Sequence, residues 1–569
     1  MTLRWTLVLI LLAGCSFDSA APLQTIDNTC GSDADCAEGQ CDGSICIDDS
    51  AASVEVVIEV VNTAAEAEPT IPASWTFPSE RFSGYNARNL ELPATREVQG
   101  KVRWGAERVP ATLRFSRRMP DSVAPLQPVA VGVDTFREPA GGEEPDAYDF
   151  TTVLVAGETY DVFVLPTSDM LVSPGDVSAP AIRSLPPLYL ELSIEDGDGT
   201  EPQRFDVSFP ENLDVSCTSE RSSACTLEAD VASYDGEVPL AEAGLQVRAV
   251  DQVTGRVVSS IAETNAWGTF AIRVGEQTSD YRIRVTSNPG AEPFPAISVD
   301  PEILFSAEPG ERVIYVPRLS RILYTGRVRD ERGAPVPNAT LRFMSSSVFD
   351  DTQLGLQGSF SGSATTNEEG SFGAELLPGF YAITVIPPDD FERPWGTLAT
   401  EALVGEDSNE SEDLVLPPRV ELLGSLTTFE DEVAVGVTVL ARARQDNPLS
   451  SLQRSQEVGS SALGRFTLRL DRGLYDVLVK VPSERGYAWI VEPELLMDAD
   501  LARDYRFEPP IPVEGVVEAS DGAPVPGALV RAYVLADEGE GSRSIQVGET
   551  VSDEAGNYRL LIAPRFDAE

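Results

Sequence analysis

The sequence predicts an all-β chain of tandem Greek-key β-sandwiches, and three observations carry that prediction. One set of phrases recurs at a domain-sized spacing. Every copy alternates apolar and polar residues between Gly, Pro and Asn turns, and no stretch sustains a helical period. The stretch "TTNEEGSFGAELLPGFYAITVIPP", Thr365 to Pro388, is representative: a polar turn, an alternating strand around Phe372, a second turn at Pro378-Gly379 and another alternating strand.

Bulk composition bounds the rest. A chain of 569 residues is too long for one core and divides into several domains. Its 42 basic residues face 92 acidic ones, a formal charge of -50, yet 42% of the chain is hydrophobic, so it is acidic without being depleted of core formers. Such a surface repels nucleic acid, which is excluded as a direct partner. The chain contains no histidine. Ser-His-Asp and Cys-His nucleophile systems, His-ligated zinc and histidine pH switches are therefore unavailable. Carboxylate-only chemistry of the glycosidase kind survives that test.

Residues 1–14 read as an export signal. Arg4 precedes an apolar run, Leu7 to Leu12, too short to span a bilayer as a mature helix. The segment "LAGC", Leu12 to Cys15, resembles the lipobox of bacterial lipoproteins. That resemblance implies cleavage before Cys15 and lipid on its thiol, and Ser16 in place of an aspartate implies the outer membrane. Six cysteines remain, an even number for an oxidising compartment. Cys30, Cys36, Cys41 and Cys46 lie in a tether spanning 15–50, where all-cysteine zinc would require a reducing compartment; disulfides are expected, with three connectivities open. Cys217 and Cys225 would close a short loop worth about 2.5 kcal/mol. The N-terminal cluster resembles the cysteine-rich segment that follows the anchor in myxobacterial-type lipoproteins.

Beyond a β-rich segment, 51–97, the phrases begin. "GRVRDERGAPVPNATLRF" from Gly326, "GSLTTFEDEVAVGVTVLA" from Gly424 and "GVVEASDGAPVPGALVRA" from Gly515 align without a gap, matching Val336, Ala434 and Val525 and sharing a turn position at Asn338, Gly436 and Gly527. Weaker copies start at Pro239 and Val109. A second phrase, Gly-x-aromatic then strand, turn, Tyr and strand, recurs at "NEEGSFGAELLPGFYAITV", "SALGRFTLRLDRGLYDVLV" and "NAWGTFAIRVGEQTSDYRIRV". A third closes units with a proline: "NLELP" at Asn89, "VIYVP" at Val313, "DLVLP" at Asp413 and "YRFEP" at Tyr505. The boundaries that follow are 98–192, 193–318 with a disulfide-loop insertion, 319–418, 419–509 and 510–569. Five such units in a row would make a rod.

The pattern G-x-V, P-V-P-x-A, G-x-F, P-G-x-Y resembles the carboxypeptidase regulatory-like domain, and the resemblance implies an Ig-like or transthyretin-like sandwich without implying activity. No catalytic constellation accompanies it, and no cofactor is expected. For ligands, Trp267, Trp395 and Trp489 are the candidates for stacking on sugars, against the alternative that they cap sandwich cores near domain junctions. Asp196 and Asp198 in "EDGDGTEP" are a weak calcium candidate against a plain hairpin turn.

Function is then expected to be a non-catalytic, lipid-anchored outer-membrane scaffold, joined to the membrane through its N-terminal lipid and open to a polysaccharide or another envelope protein. The second reading is carbohydrate recognition by one or more sandwiches, with a carboxylate-only glycosidase as its extension. The last unit has no match for the final strand and closing phrase. It is expected to be incomplete, either because a longer array continues or because another chain fills the gap by strand addition.

Overall fold

The computed structural model describes the chain from residue 40 to residue 565, apart from short loops and the longer stretches 63–70, 120–125, 136–147, 167–184 and 445–452. Strands dominate throughout. The described residues include one four-residue α-helix, Glu302–Phe305, and a 3-10 turn, Ser483–Arg485. Five hydrophobic cores follow, each between two small sheets.

The third sandwich serves as the template. Its first strand, Ile322–Asp330, pairs antiparallel with Ser371–Leu376 and parallel with the closing strand Leu414–Leu416. The facing sheet runs Leu356–Thr365, Thr340–Asp351, Gly379–Ile386, Leu398–Val404. Alternation places Leu341, Phe343, Tyr381, Ile383 and Val385 in the core between the sheets. The fourth sandwich repeats this order around Val420–Thr427, with Leu501–Ala502 and Tyr505–Arg506 as its parallel closing strands. The second does so around Cys225–Tyr234, closed in parallel by Val313–Pro317.

The repeated residues have local reasons. Asn338, Gly436 and Gly527 all adopt positive φ (58°, 67° and 69°), the conformation their shared turn requires. At the next turn one side chain accepts two backbone N–H bonds in each unit: Asn367 from Glu369 and Ser371, Ser461 from Leu463 and Arg465, Asp553 from Ala555 and Asn557. The repeated tyrosine is fully buried and donates its hydroxyl four residues back, Tyr381 to the Leu377 carbonyl and Tyr475 to that of Asp471, each at 3.0 Å.

Glycine in the first strand marks where the closing strand crosses. A Cβ would meet the Arg503 carbonyl oxygen at 1.6 Å if placed on Gly424, and the Phe205 carbonyl oxygen at 1.8 Å on Gly100. On Gly515 it would meet the Arg88 carbonyl oxygen at 2.0 Å. That last contact overturns the expectation of an incomplete final unit.

The missing strands come from the chain's own residues 54–92. Val54–Val61 pairs antiparallel with Leu529–Glu538 and carries Ser74–Thr76 and Glu80–Phe82 on its other side. Asn86–Ala87 and Leu90–Glu91 pair in parallel with Ile511–Glu518, as a closing strand does in every other unit. One core joins Val54, Ile58, Phe82 and Leu90 to Val513, Val530 and Leu560. The segment assigned to 51–97 and the unit assigned to 510–569 are thus one terminal sandwich, and "NLELP" closes it.

Two further corrections follow. The first sandwich extends past residue 192, because Gln203–Arg204 and Val207–Phe209 are its parallel closing strands against Thr95–Gly100 and Val102–Trp104. The separate-unit rod also fails, since the terminal sandwich touches both the first and the fourth. Val57, on the face of its strand opposite the core, packs with Leu126 and Met119 of the first sandwich, and the Arg117 guanidinium sits 4.0 Å over the Trp75 ring. On the other side, Ala488 of the fourth sandwich packs on Leu561 and Ala563. Between the second and third sandwiches, Ala296–Val299 pairs with Leu356–Ser359 and fuses two sheets into one of eight strands. The five sandwiches therefore form a closed cycle of neighbours.

Replacing Gly515 by Ala should destabilise the terminal sandwich by about 3 kcal/mol, since the added methyl must displace Arg88; hydrogen exchange should show lost protection in Ile511–Glu518 with Ile322–Asp330 unchanged. Burial, opposed by the Leu377 bond, raises the Tyr381 pKa to about 12. A raised pKa contributes stability that is complete below the unfolded value near 10 and is lost as pH rises through about 12. Denaturant midpoints should fall across that window, and less steeply in Tyr381→Phe.

Candidate functional site

A cluster of charged side chains lies at the junction of the third and fourth sandwiches. Asp471, its side chain 1% exposed, receives Nε and Nη2 of Arg454 at 2.9 and 2.8 Å in a bidentate pair, and the backbone N–H of Thr397 at 3.2 Å. Arg454 belongs to the fourth sandwich and also donates to the carbonyls of Trp395 and Pro387 in the third, at 2.9 and 3.2 Å. Arg419 adds a bond to Asp389 at 2.6 Å and lies 3.6 Å from Asp471. Burial opposes the Arg454 charge, but the bonds it donates to Asp471 outweigh that and hold the pKa above the ordinary guanidinium value. The Arg419 bond holds Asp389 below the usual carboxylate range. This cluster fixes the third sandwich against the fourth.

Sequence reasoning did not find it, although a signal was present. Asp471 occupies the place in "RLDRGLY" that Leu377 holds in "ELLPGFY", a carboxylate where the sister unit has a core residue. Three other junctions also use arginine, the first–terminal one through Arg117 over Trp75. Arg273 lies 5.0 Å over Trp104 and Arg256 5.0 Å over Tyr189, both joining the first sandwich to the second. Arg543 pairs with Asp476 across the seam between the terminal and fourth sandwiches.

That seam holds a half-open pocket of about 330 Å³. Its floor is apolar, with Val54, Val547 and Ile562 from the terminal sandwich, and its rim carries Glu492, Arg506 and Glu508 from the fourth. Both Glu492 oxygens are occupied, one by Arg503 Nε at 3.1 Å and one by the Tyr505 hydroxyl at 2.6 Å. Glu492 is thus a fixed acceptor rather than a group placed to deliver a proton.

The three tryptophans do not converge. Trp395 is 8% exposed in the third core, and Trp489 is 6% exposed in the fourth, with its Nε1–H donated to the Val481 carbonyl at 3.1 Å and Lys480 Nζ 4.6 Å over its ring. Trp395 is closed off in its core, whereas Trp489, covered on its ring by Lys480, contributes to the lining of the seam pocket beside Ala488 and Val491. Burial also pulls the Lys480 pKa below the ordinary amine range, against Glu549. Trp267 is 61% exposed, on the Asn265–Gly268 turn where the sister units carry Glu369 and Leu463. The same sandwich presents a pair not anticipated from sequence, Tyr234 and Tyr315, with ring centroids 6.0 Å apart and both rings partly exposed.

The remaining candidates are quickly placed. Cys217 and Cys225 form a disulfide packed in the second core. Gln40–Asp42 pairs with Ile45–Ile47, setting the backbones of Cys41 and Cys46 opposite each other, whereas Cys15, Cys30 and Cys36 lie outside the described residues. Asp196 is exposed and Asp198 lies outside the described residues; among the described residues no cluster could hold a metal ion.

No family model and no curated protein matches the chain. Solved structures do. The Streptococcal ancillary pilin matches at 10% identity over 57% of this chain and 100% of that one, with a TM-score of 0.20. GBS52, the minor pilin of Streptococcus agalactiae, matches at 15% identity over 33% and 95%, TM-score 0.20. The Bacillus anthracis TIE protein matches at 10% identity over 73% and 74%, TM-score 0.16. At those TM-scores the likeness reaches neither the arrangement of the modules nor a function.

Asp471→Ala should cost about 3 kcal/mol, because it removes the bidentate acceptor of the largely buried Arg454 and leaves it only Asp389, at 3.5 Å, as a carboxylate partner. Asp389→Ala, removing a side chain that is 74% exposed, should cost under about 1 kcal/mol. Urea denaturation of both variants measures the contrast.

Proposed function

We propose that the protein is a non-catalytic cell-envelope lipoprotein: lipid on Cys15 holds it at the outer membrane, and the closed set of sandwiches is a rigid scaffold whose outer faces meet a partner. The observation supporting this reading is where the buried charge is used. Glu59, Asp251, Arg312, Arg444, Asp471 and Asp476 each bond within the fold or across a junction, and none is aimed into a cavity as an acid, base or nucleophile.

A second reading, carbohydrate recognition, draws support from Trp267, Tyr234 and Tyr315, exposed aromatic rings on one sandwich. Two measurements separate the readings. Labelled palmitate should enter the wild-type protein and not Cys15→Ala, and incorporation into that variant would remove the anchor. On a glycan array the scaffold reading expects no binding; binding that falls at least tenfold in Trp267→Ala or Tyr315→Ala would establish the second reading, and sugar release would establish an enzyme.

A further inference from the structure

In the first four sandwiches the strand that pairs with the buried tyrosine strand on its outer side lies at the rim of the unit, and the fold treats that rim differently each time. In the second, the rim strand Ala296–Val299 is taken up by Leu356–Ser359 of the third, which is strand addition within the chain itself. In the fourth, Ile490–Met497 carries Pro493, a register shift and Glu494 at φ 58°, and Arg543 of the terminal sandwich lies 3.7 Å from Glu494. In the first, Leu188–Ser193 meets the second sandwich, the Tyr189 hydroxyl donating to the Val257 carbonyl at 3.1 Å. The terminal sandwich breaks the corresponding edge into Ser74–Thr76 and Glu80–Phe82.

The rim strand of the third sandwich, Leu398–Val404, has none of these protections. All seven of its residues pair with Gly379–Val385 without a shift, and it ends the eight-stranded sheet. Among the described residues no backbone group bonds to its outer side. It also lacks the proline, lysine and bulge that blunt an open edge, and Glu401 is its one charge.

Both faces of this edge are unfinished. Leu398 and Ala402 pack on the third core but stay only partly buried. On the other face Leu403 stands opposite Phe380, and Met344 stands opposite Ala382 two residues further along that strand; Leu403, Phe380 and Met344 are each more than half exposed. An added strand would cover side chains on both faces while its backbone completed the ladder. Glu401 and, in the turn that follows, Glu406, Asp407 and Glu410 are exposed, so the fitting strand is cationic. A second copy fits poorly, because two-fold antiparallel pairing about the middle residue sets Glu401 opposite Glu401 on two chains of charge -50.

We infer that the outer edge of Leu398–Val404 receives an extended segment of a partner protein by strand addition, apolar at alternate positions and bearing lysine or arginine beside Glu401 and the 406–410 turn. The inference rests on the scaffold reading in giving the partner an outer face, but peptide binding here and lipid on Cys15 succeed or fail separately.

The test uses the full chain and a labelled peptide of about nine residues, alternating valine and threonine with two lysines at each end. It should bind, and amide exchange should slow in Leu398–Val404 but not in Ile490–Met497. Leu403→Lys should weaken binding at least about tenfold. Leu496 holds the equivalent place in the fourth sandwich, opposite Leu474, and is also exposed, so Leu496→Lys adds the same charge without touching the edge and should leave binding unchanged. The same peptide N-methylated at every valine and threonine keeps its charge but has no strand donors there, and should not bind. Absence of binding, equal loss in Leu496→Lys, full binding by Leu403→Lys or full binding of the methylated peptide would each overturn the inference. A dimer of the parent protein in sedimentation that Leu403→Lys dissolves would put a second copy on the edge and overturn the foreign partner.

Discussion

The strand Val54–Val61 lies between Ser74–Phe82 and Leu529–Glu538, and the rest of the architecture depends on that pairing. Without residues 54–92 the last unit has a first strand and a hairpin but no closing strand, and Val513, Val530 and Leu560 lose seven of the eighteen buried residues of their core. In that pairing the strand is buried on both faces: Val56, Ile58 and Val60 face the terminal core, while Val57 meets Leu126 of the first sandwich. One strand thereby completes a domain and seats its neighbour. Glu59 can be buried there because the Tyr533 hydroxyl meets it and Arg531 stands nearby.

Closing the chain on itself requires five sandwiches to hold fixed angles, and the junctions show how an acidic protein meets that requirement. Carboxylates are abundant, so the scarce partner is a cation. Arginine fills that role at several seams, as a fork on Asp471, as a cap over Trp75, Trp104 and Tyr189, and as the partner of Asp476. Buried ion pairs of this kind add little net stability because desolvation offsets their attraction. What they add is direction, since a bidentate pair tolerates one orientation.

The parallel closing strand links repeat chemistry to this architecture. At glycines 100, 424 and 515 it passes so near the first strand that a Cβ would strike its backbone, at Gly326 the Ser411 side chain fills that space, and the second sandwich closes over Cys225–Tyr234 without a glycine. Because the closing strand is the last piece of a unit in sequence but pairs with the first, each sandwich is held shut by its own ends. In the terminal sandwich those ends are reached from opposite termini of the chain.

Sequence by itself determined what is local. Alternation and turn residues settle strand existence, the positive-φ positions 338, 436 and 527, and the recurrent phrases, because each rests on neighbours a few residues away. Even "NLELP" and the unfinished last unit were both legible, as two fragments. That the first completes the second was decided only in the tertiary structure, because β pairing has no limit on sequence separation and one apolar strand matches many ladders. The same holds for the tryptophans. Their aromatic faces are written in the chain, but whether a face meets water is set by what folds over it, which buries Trp395 and Trp489 and leaves Trp267 on a turn. Burial is a property of neighbours that a chain acquires only on folding.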